Sequence, residues 1–509
     1  MRNILKLLFQ RVVLVSLSIL LQIILMIFFM TRLADYRPWF EALMAVLRVV
    51  SVLYLVAAPQ TTAAYKTAWI MLILAFPVAG VSIFLFLGGN RLSRREKKRM
   101  FRISAMAEKH LLQEPAVLRR LQSAEPDASY PCRYLLNAAR CPVWEDTQAE
   151  YFSSGEACWK RMLETLREAK KYIFLEYFII NDGEMWSSIL DILADKVSEG
   201  VEVRLIYDDF GCIRRLPYGY WKRMEEIGIH TRVFNPFVPV ASGRLNNRDH
   251  RKLLIIDGEI GFTGGINLSD EYICRTHPFG DWKDAGLCLR GPAVWSMTVM
   301  FLSMWDTLTG REEDCAALRP QSVLTAGRGF VQPFSDSPLD NEAVCETVYL
   351  HLITRARKNV WFMTPYLVLD ERMSSALCMA AKSGVDVRII TPGRPDKWYV
   401  YSVTRANYEA LIAAGVRVFE YTPGFLHSKV CCVDGRYAVV GTINLDFRSL
   451  YLHYEDGVLL ADADCLAAVT ADFEQTFPRC REVTEQTVRA TPFWKRLYRS
   501  LLQLLAPLM

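Results

Sequence analysis

One pattern of about twenty residues occurs twice in this chain, and that duplication constrains the fold more than any other feature. The first copy places His250 and Lys252 two apart, runs through apolar residues to Asp257, and after six residues reaches Gly264, Gly265, Ile266 and Asn267. The second places His427 and Lys429 two apart, runs to Asp434, and after six residues reaches Gly441, Thr442, Ile443 and Asn444. The spacings agree residue for residue. Each copy also closes a longer repeat. The first half reads YIFLEYFII from Tyr172, a helical stretch, EGVEVRLIYDDFG from Glu199 and IHTRVFNP from Ile229. The second reads VWFMTPYLVL from Val360, a helical stretch, SGVDVRIITPGRPD from Ser383 and GVRVFEYTP from Gly415. Both halves give strand, helix, strand, helix, strand, with β-branched apolar runs bounded by Gly and Pro. Such alternation implies an α/β architecture with buried sheets, built as a pseudo-twofold pair of domains. In the stretch before the first strand, Trp159, Met162, Leu163 and Leu166 share one helical face, which reads as core.

The chemistry follows from residue types and spacing. In a strand, residues i and i+2 point the same way, so His250 projects with Lys252 and His427 with Lys429. Imidazole can attack phosphorus or donate a proton, and an ammonium neutralises non-bridging oxygens, so the pair suits a phosphate. Asn267 and Asn444 would add neutral phosphate-binding donors. Two such sets face to face would form one site, with one histidine as nucleophile and the other as general acid. A single His-x-Lys would carry little weight. The chain has only seven histidines, however, and two of them stand in identical contexts, which coincidence does not explain. Metal-assisted phosphoryl chemistry would need clustered carboxylate or His ligands. Asp208 and Asp209 form the one tempting pair, and Thr391 and Pro392 stand in the equivalent place of the second repeat. A mechanism without metal or cofactor is therefore expected, with Asp208 and Asp209 as capping or rim residues.

Length and composition place this pair of domains in a larger frame. A chain of 509 residues is long enough for about three or four units. Its 52% hydrophobic content exceeds that of ordinary soluble chains, and the excess is concentrated in the first ninety residues. Residues 12–30 carry no charge and would span about 30 Å as a helix, the thickness of a bilayer core. Residues 68–88 form a second strong segment, which argues against reading the first as a cleaved signal. A third, 39–57, is interrupted by Glu41 and Arg48. Arg91, Arg94, Arg95, Lys97, Lys98 and Arg99 follow at once, reading as a cytoplasmic stop that meets anionic headgroups. Arg2, Lys6 and Arg11 favour a cytoplasmic N-terminus too, and two ends on one side require an even number of spans. The stretch 103–148 reads as a polar, loop-like connector. The C-terminus sets Lys495, Arg496 and Arg499 among Phe493, Trp494, Leu497, Leu501 and Leu505, an amphipathic helix suited to a membrane surface or to packing on the domain. Thirteen scattered cysteines, an odd number without CxxC spacing, read as reduced thiols. A net charge of +5 does not point to nucleic acid.

The duplicated HxK(x)4D(x)6G(G/T)xN pattern resembles that of the phospholipase D superfamily. Within it the chain is similar from end to end to the bacterial cardiolipin synthases, on the stretches KTAWIMLILAFPVAG, FLEYFII, HRKLLIIDGEIGFTGGINLSDEY, WKDAGLCLRGPAV, TPYLVLD and GFLHSKVCCVDGRYAVVGTINLDFRSLYLHYE. The resemblance implies two pseudo-symmetric phospholipase D-like α/β/α sandwich domains preceded by N-terminal transmembrane helices. The expected division is 1–90 membrane anchor, 91–148 basic connector, 149–325 first domain, 326–485 second domain and 486–509 amphipathic helix. It implies a multi-pass protein of the bacterial cell membrane with cytoplasmic catalytic domains, whose partners are phosphatidylglycerol and membrane lipids rather than nucleic acid. The implied activity joins two phosphatidylglycerols into cardiolipin and glycerol through a phosphohistidine. The catalytic set would be His250, Lys252, Asp257, His427, Lys429 and Asp434, with His250 as nucleophile and His427 as acid then base. By matching WKDAG with HYEDG, Asp284 and Glu455 would orient the histidines. A hydrolase, or a transferase using another headgroup alcohol, shares the same intermediate. A nuclease or a catalytically dead scaffold fits the leader and the intact motifs less well.

Overall fold

The computed structural model describes residues 108–508 apart from 237–246, 321–324 and 341, together with the leader helices α1 (Arg37–Ala57) and α2 (Ala63–Ala75) and scattered residues beside them. The predicted repeat becomes two sheets of matching topology. Eighteen strands are needed to follow them. The first half contains β1 (Gln148–Phe152), β2 (Tyr172–Tyr177), β3 (Glu202–Asp208), β4 (His230–Phe234), β5 (Arg248–Asp249), β6 (Lys252–Ile256), β7 (Ile260–Gly264), β8 (Asp281–Lys283) and β9 (Gly286–Arg290). The second contains β10 (Phe330–Asp336), β11 (Asn359–Met363), β12 (Asp386–Pro392), β13 (Arg417–Tyr421), β14 (Gly424–Leu426), β15 (Val430–Val433), β16 (Tyr437–Gly441), β17 (His453–Ala461) and β18 (Cys480–Val483).

The first sheet runs β1-β9-β7-β6-β2-β3-β4 and the second β10-β17-β16-β15-β11-β12-β13-β18. Position by position, β2, β3 and β4 correspond to β11, β12 and β13, and each triplet is parallel. The motif strands β6 and β7 correspond to β15 and β16, and each pair is antiparallel. The central strands read as unbroken apolar runs because helices cover both faces. On the outer faces lie α5 (Gly155–Glu168), α6 (Glu184–Ser198) and α7 (Tyr220–Ile227) in the first half, and α9 (Val344–Arg355), α10 (Glu371–Lys382) and α11 (Trp398–Ala413) in the second. On α5, Trp159, Met162 and Leu166 are buried and Leu163 partly so, as its apolar stripe predicts. Between the sheets sit α8 (Val294–Thr309) and α12 (Leu466–Thr476), whose Phe301, Leu302, Val469 and Phe473 join the inner faces of both sheets in one core. The two halves therefore share buried apolar surface and form a fixed pair.

Two expectations are corrected. The connector is not a loop but two helices, α3 (Pro115–Ala124) and α4 (Pro126–Ala138). Each begins with Pro, which costs nothing at the first helical position, where the N–H has no intrahelical partner. Their Val117, Leu121, Cys132 and Leu135 are buried with Val348, Tyr349 and Leu352 of α9, so this stretch belongs to the second half's core. The weak third segment forms the longest described leader helix, the 21-residue α1, while of segment 68–88 the described helix is α2. No described helix is long and apolar enough to cross a membrane. Most of segment 12–30 and of the basic run after Asn90 lies outside the described residues. Of the two roles open to the C-terminal helix α13 (Phe493–Leu505), packing on the domain is seen, with Leu502 near Val400 of α11, while Phe493, Trp494, Leu497 and Leu501 are exposed.

Candidate active site

The strand pairings that close the site run between the halves. At β5 the chain leaves its own sheet: Arg248 and Asp249 pair in parallel with His453 and Tyr454 at the start of β17, and β6 returns to the first sheet. In the mirror arrangement β14 pairs with β8, setting Phe425 beside Trp282 and Leu426 beside Lys283. His250 lies in the short break between β5 and β6, and its N–H donates to the carbonyl of Tyr454 at 2.9 Å. His427 lies in the break between β14 and β15, and its N–H donates to the carbonyl of Lys283 at 2.7 Å. The histidines are thus held at strand ends rather than within strands, each anchored to the opposite half.

The orienting carboxylates cross over in the same way. Nδ1 of His250 lies 2.9 Å from both carboxylate oxygens of Glu455, and Nδ1 of His427 lies 2.7 Å from Oδ2 of Asp284. Both carboxylates are fully buried. A carboxylate accepts, so each ring carries its proton on Nδ1 and presents the Nε2 lone pair to the other side. The two acids are seated by residues at one equivalent position of the repeat. Thr442 Oγ1 donates to Glu455. Its counterpart Gly265 leaves space for Asp284, since a Cβ there would stand 2.0 Å from Asp284 Oδ1.

Lys252 Nζ donates to the carbonyl of His250 at 2.6 Å, and Lys429 Nζ to that of His427, also 2.8 Å from that ring's Nδ1. Burial lowers both lysines, Lys252 to about 8 and Lys429 to about 7, against the pull of Glu455 and Asp284 in the opposite sense. Burial, then the two ammonium groups, push His250 well below the usual imidazole range. Burial and Lys429 push His427 to about 4, opposed by Asp284. A neutral His250 suits a nucleophile. A general acid must be protonated, and an arriving phosphodiester supplies the negative charge that favours the protonated ring of His427.

Aromatic rings wall the site. Phe178 stands edge-on to His250 at 5.1 Å, and Tyr272 edge-on to His427 at 5.4 Å. Asn267 accepts from the N–H of Ile179 at 3.0 Å and donates to the Tyr272 hydroxyl at 2.7 Å, so it meets the site beside that ring. The Asn444 carbonyl is buried without a hydrogen bond. Asp208 caps the short helix Asp209–Cys212 and also accepts from the N–H of Asp249, the capping role expected of it.

Asp257 and Asp434 are the exception among the motif residues. Each follows its motif strand, β6 or β15, with a positive φ of 55° or 56°. Asp257 accepts from the backbone N–H groups of Lys170, Lys171 and Tyr172 at 2.7–2.9 Å. Asp434 does the same for Arg357, Lys358 and Asn359 at 2.7–2.9 Å. They stand seven residues along an extended chain from the histidines, about 23 Å at 3.3 Å per residue. Their expected place in the catalytic set is corrected: geometry makes them caps that fix where β2 and β11 begin. Sequence reasoning missed His453, whose ring lies 5.7 Å from that of His250. The i, i+2 rule could have found it, since it precedes Glu455 by two residues in one strand.

Comparison with known proteins agrees with this geometry. The family description "Cardiolipin synthase, PLD-like domain" matches residues 162–277 and 349–477, one stretch in each half. An uncharacterized protein of Streptococcus mutans is 43% identical over 460 residues, 90% of this chain and 99% of that one. A cardiolipin synthase of Geobacillus is 33% identical over 467 residues, 91% of this chain and 92% of that one. The chain belongs to the cardiolipin synthase family. As a member of that family it is a phosphatidyltransferase acting on phospholipids. Among solved structures, a phosphatidylserine synthase of Haemophilus influenzae shares the fold, with a TM-score of 0.55 at 17% identity over 71% of this chain and 95% of that one.

Proposed function

We propose that this cardiolipin synthase uses phosphatidylglycerol as both donor and acceptor, with His250 as nucleophile and His427 as acid then base. The observation that supports the assignment is the reciprocal pairing of His250 with Glu455 and His427 with Asp284, which leaves two Nε2 atoms to serve one phosphate. In the first step Nε2 of His250 attacks phosphorus and the bond to the glycerol oxygen breaks. That oxygen takes the proton from Nε2 of His427. In the second step a hydroxyl of another phosphatidylglycerol gives its proton to His427 and attacks phosphorus, and the phosphorus–nitrogen bond breaks. Cardiolipin and glycerol leave, and both rings return to their starting states. Lys252 and Lys429 neutralise the non-bridging oxygens as charge builds, and Asn267 and Asn444 add neutral contacts.

The division into a first domain over 149–325 and a second over 326–485 belongs to the same proposal, as does a multi-pass anchor in the bacterial cell membrane. Support for the anchor lies in the apolar stretches 12–30 and 68–88 and in the exposed Phe493, Trp494, Leu497 and Leu501 of α13 beside Lys495, Arg496 and Arg499.

The test is full-length enzyme in detergent micelles with labelled phosphatidylglycerol and excess chelator. Cardiolipin and glycerol in equal amounts are expected. Phosphatidic acid as the sole product would mean that water, not a lipid hydroxyl, resolves the intermediate.

A further inference from the structure

The pseudo-twofold symmetry breaks at one residue in contact with the catalytic pair. Aligning WKDAG with HYEDG equates Trp282 with His453 and Asp284 with Glu455. In one half the ring beside the catalytic histidine is an indole, with Trp282 5.4 Å from His427. In the other it is an imidazole, with His453 5.7 Å from His250. An indole cannot ligate an ion, whereas an imidazole can. The His453 side chain is 11% exposed, its Nδ1 lies 3.7 Å from Glu455 Oε1, and neither ring nitrogen has a hydrogen-bond partner. Buried polar atoms without partners are uncommon and call for a reason. Among the described residues, His250, His453 and Glu455 form the one set whose ligand atoms converge, all lying within 4.8 Å of one another.

We propose that His250, His453 and Glu455 form an inhibitory zinc site that shuts off the nucleophile. Two imidazoles and a carboxylate are the donor set of open, three-ligand zinc centres, with bonds of about 2.0–2.2 Å. Ligand atoms in such a shell stand about 3.3 Å apart, so small side-chain rotations close the set around one ion. Zinc would bind Nδ1 of His250 where that atom now faces Glu455: the ring's one N–H proton leaves Nδ1 and Nε2 takes one up from solvent, with no net loss. A neutral imidazole with its Nδ1 lone pair on a metal carries its hydrogen on Nε2, which then has no lone pair for phosphorus. Glu455 is drawn away from its orienting role at the same time. The equivalent set around His427 has Trp282 in place of the third ligand, so the device acts on one histidine alone. The blockade, though not the binding, rests on the reading of His250 as nucleophile.

The test uses full-length enzyme freed of metal by chelator and then dialysed. Cobalt(II), a spectroscopic stand-in for zinc, should bind at one equivalent with visible ligand-field bands that zinc displaces; a wild-type enzyme without such bands overturns the site. Zinc should suppress turnover of phosphatidylglycerol, and chelator should restore it. His453→Asn should keep turnover in chelator and require at least tenfold more zinc for the same inhibition, the loss typical for a removed contact at a metal centre. Equal zinc sensitivity in His453→Asn overturns the proposal. His453→Gln serves the same purpose where the Asn variant folds poorly, turnover in chelator being the check on folding. Cobalt bound without loss of turnover overturns the blockade. The role of His250 is tested apart from zinc, by His250→Ala in chelator, so failure of the two readings can be told apart.

Discussion

The crossed carboxylates make Glu455→Gln the most informative single change. The substitution keeps the size of the side chain and removes its charge. Glu455 now holds Nδ1 of His250 through both oxygens at 2.9 Å, and both side chains are buried. A hydrogen bond to a charged partner contributes about 1.5–3 kcal/mol against roughly half that for a neutral one. If that support is used in the step in which His250 acquires positive character, kcat falls about 4- to 13-fold where glutamine keeps a neutral hydrogen bond and about 13- to 160-fold where it keeps none. The glutamine amide could also donate to Nδ1, favouring the tautomer with hydrogen on Nε2, so the larger loss is expected. The Michaelis constant for phosphatidylglycerol should move less than about threefold, because Lys252 and Lys429 still bind the phosphate. The assay is steady-state turnover of labelled phosphatidylglycerol in detergent micelles with chelator, with circular dichroism to confirm folding. Glu455→Asp, which keeps the charge but draws it back by about 1.5 Å, should fall between the two. A Gln variant with kcat within threefold of wild type, or with its whole defect in the Michaelis constant, would refute the idea that the second half's acid orients the first half's nucleophile.

Two further outcomes follow from the same geometry. Gly265→Ala should lose at least tenfold in kcat and melt at lower temperature, because the new Cβ would stand 2.0 Å from Asp284 Oδ1 and push it off His427; wild-type turnover in that variant would contradict the seating of Asp284. The pH profile of kcat/KM should fall above about pH 4, where free His427 loses the proton its acid role needs. The fall should steepen between pH 7 and 8, because burial lowers Lys429 to about 7 and Lys252 to about 8, and each loses its phosphate-binding charge as pH rises through that value. A profile flat to pH 9 would contradict it. The alkaline limb of kcat should lie higher than that of kcat/KM, because bound phosphate holds the protons on.

Much of this was legible in the chain. The repeated spacing fixes β6 and β7 against β15 and β16, since a motif that agrees residue for residue must fold the same way twice. Apolar runs bounded by Gly and Pro located β2, β3, β11 and β12. Matching WKDAG to HYEDG found Asp284 and Glu455, yet not that each serves the other half's histidine. That crossing depends on β5 meeting β17 and β14 meeting β8, pairings between residues some 140 to 200 positions apart that leave no local periodicity. The roles of Asp257 and Asp434 were misjudged because motif membership does not say which way a residue at the strand's far end faces. A positive φ and three backbone N–H donors show them to be caps. The helices α3 and α4 hid behind Glu114-Pro115 and Glu125-Pro126, where proline starts a helix but reads as a loop.

The shared site with a single nucleophile is tested most directly by rapid acid-free quenching of the enzyme with phosphatidylglycerol carrying labelled phosphorus. The account predicts a covalent phosphatidyl adduct on the peptide containing His250, stable to alkali, labile to acid and missing from His250→Ala. An adduct on His427, or one that persists in His250→Ala, would contradict it.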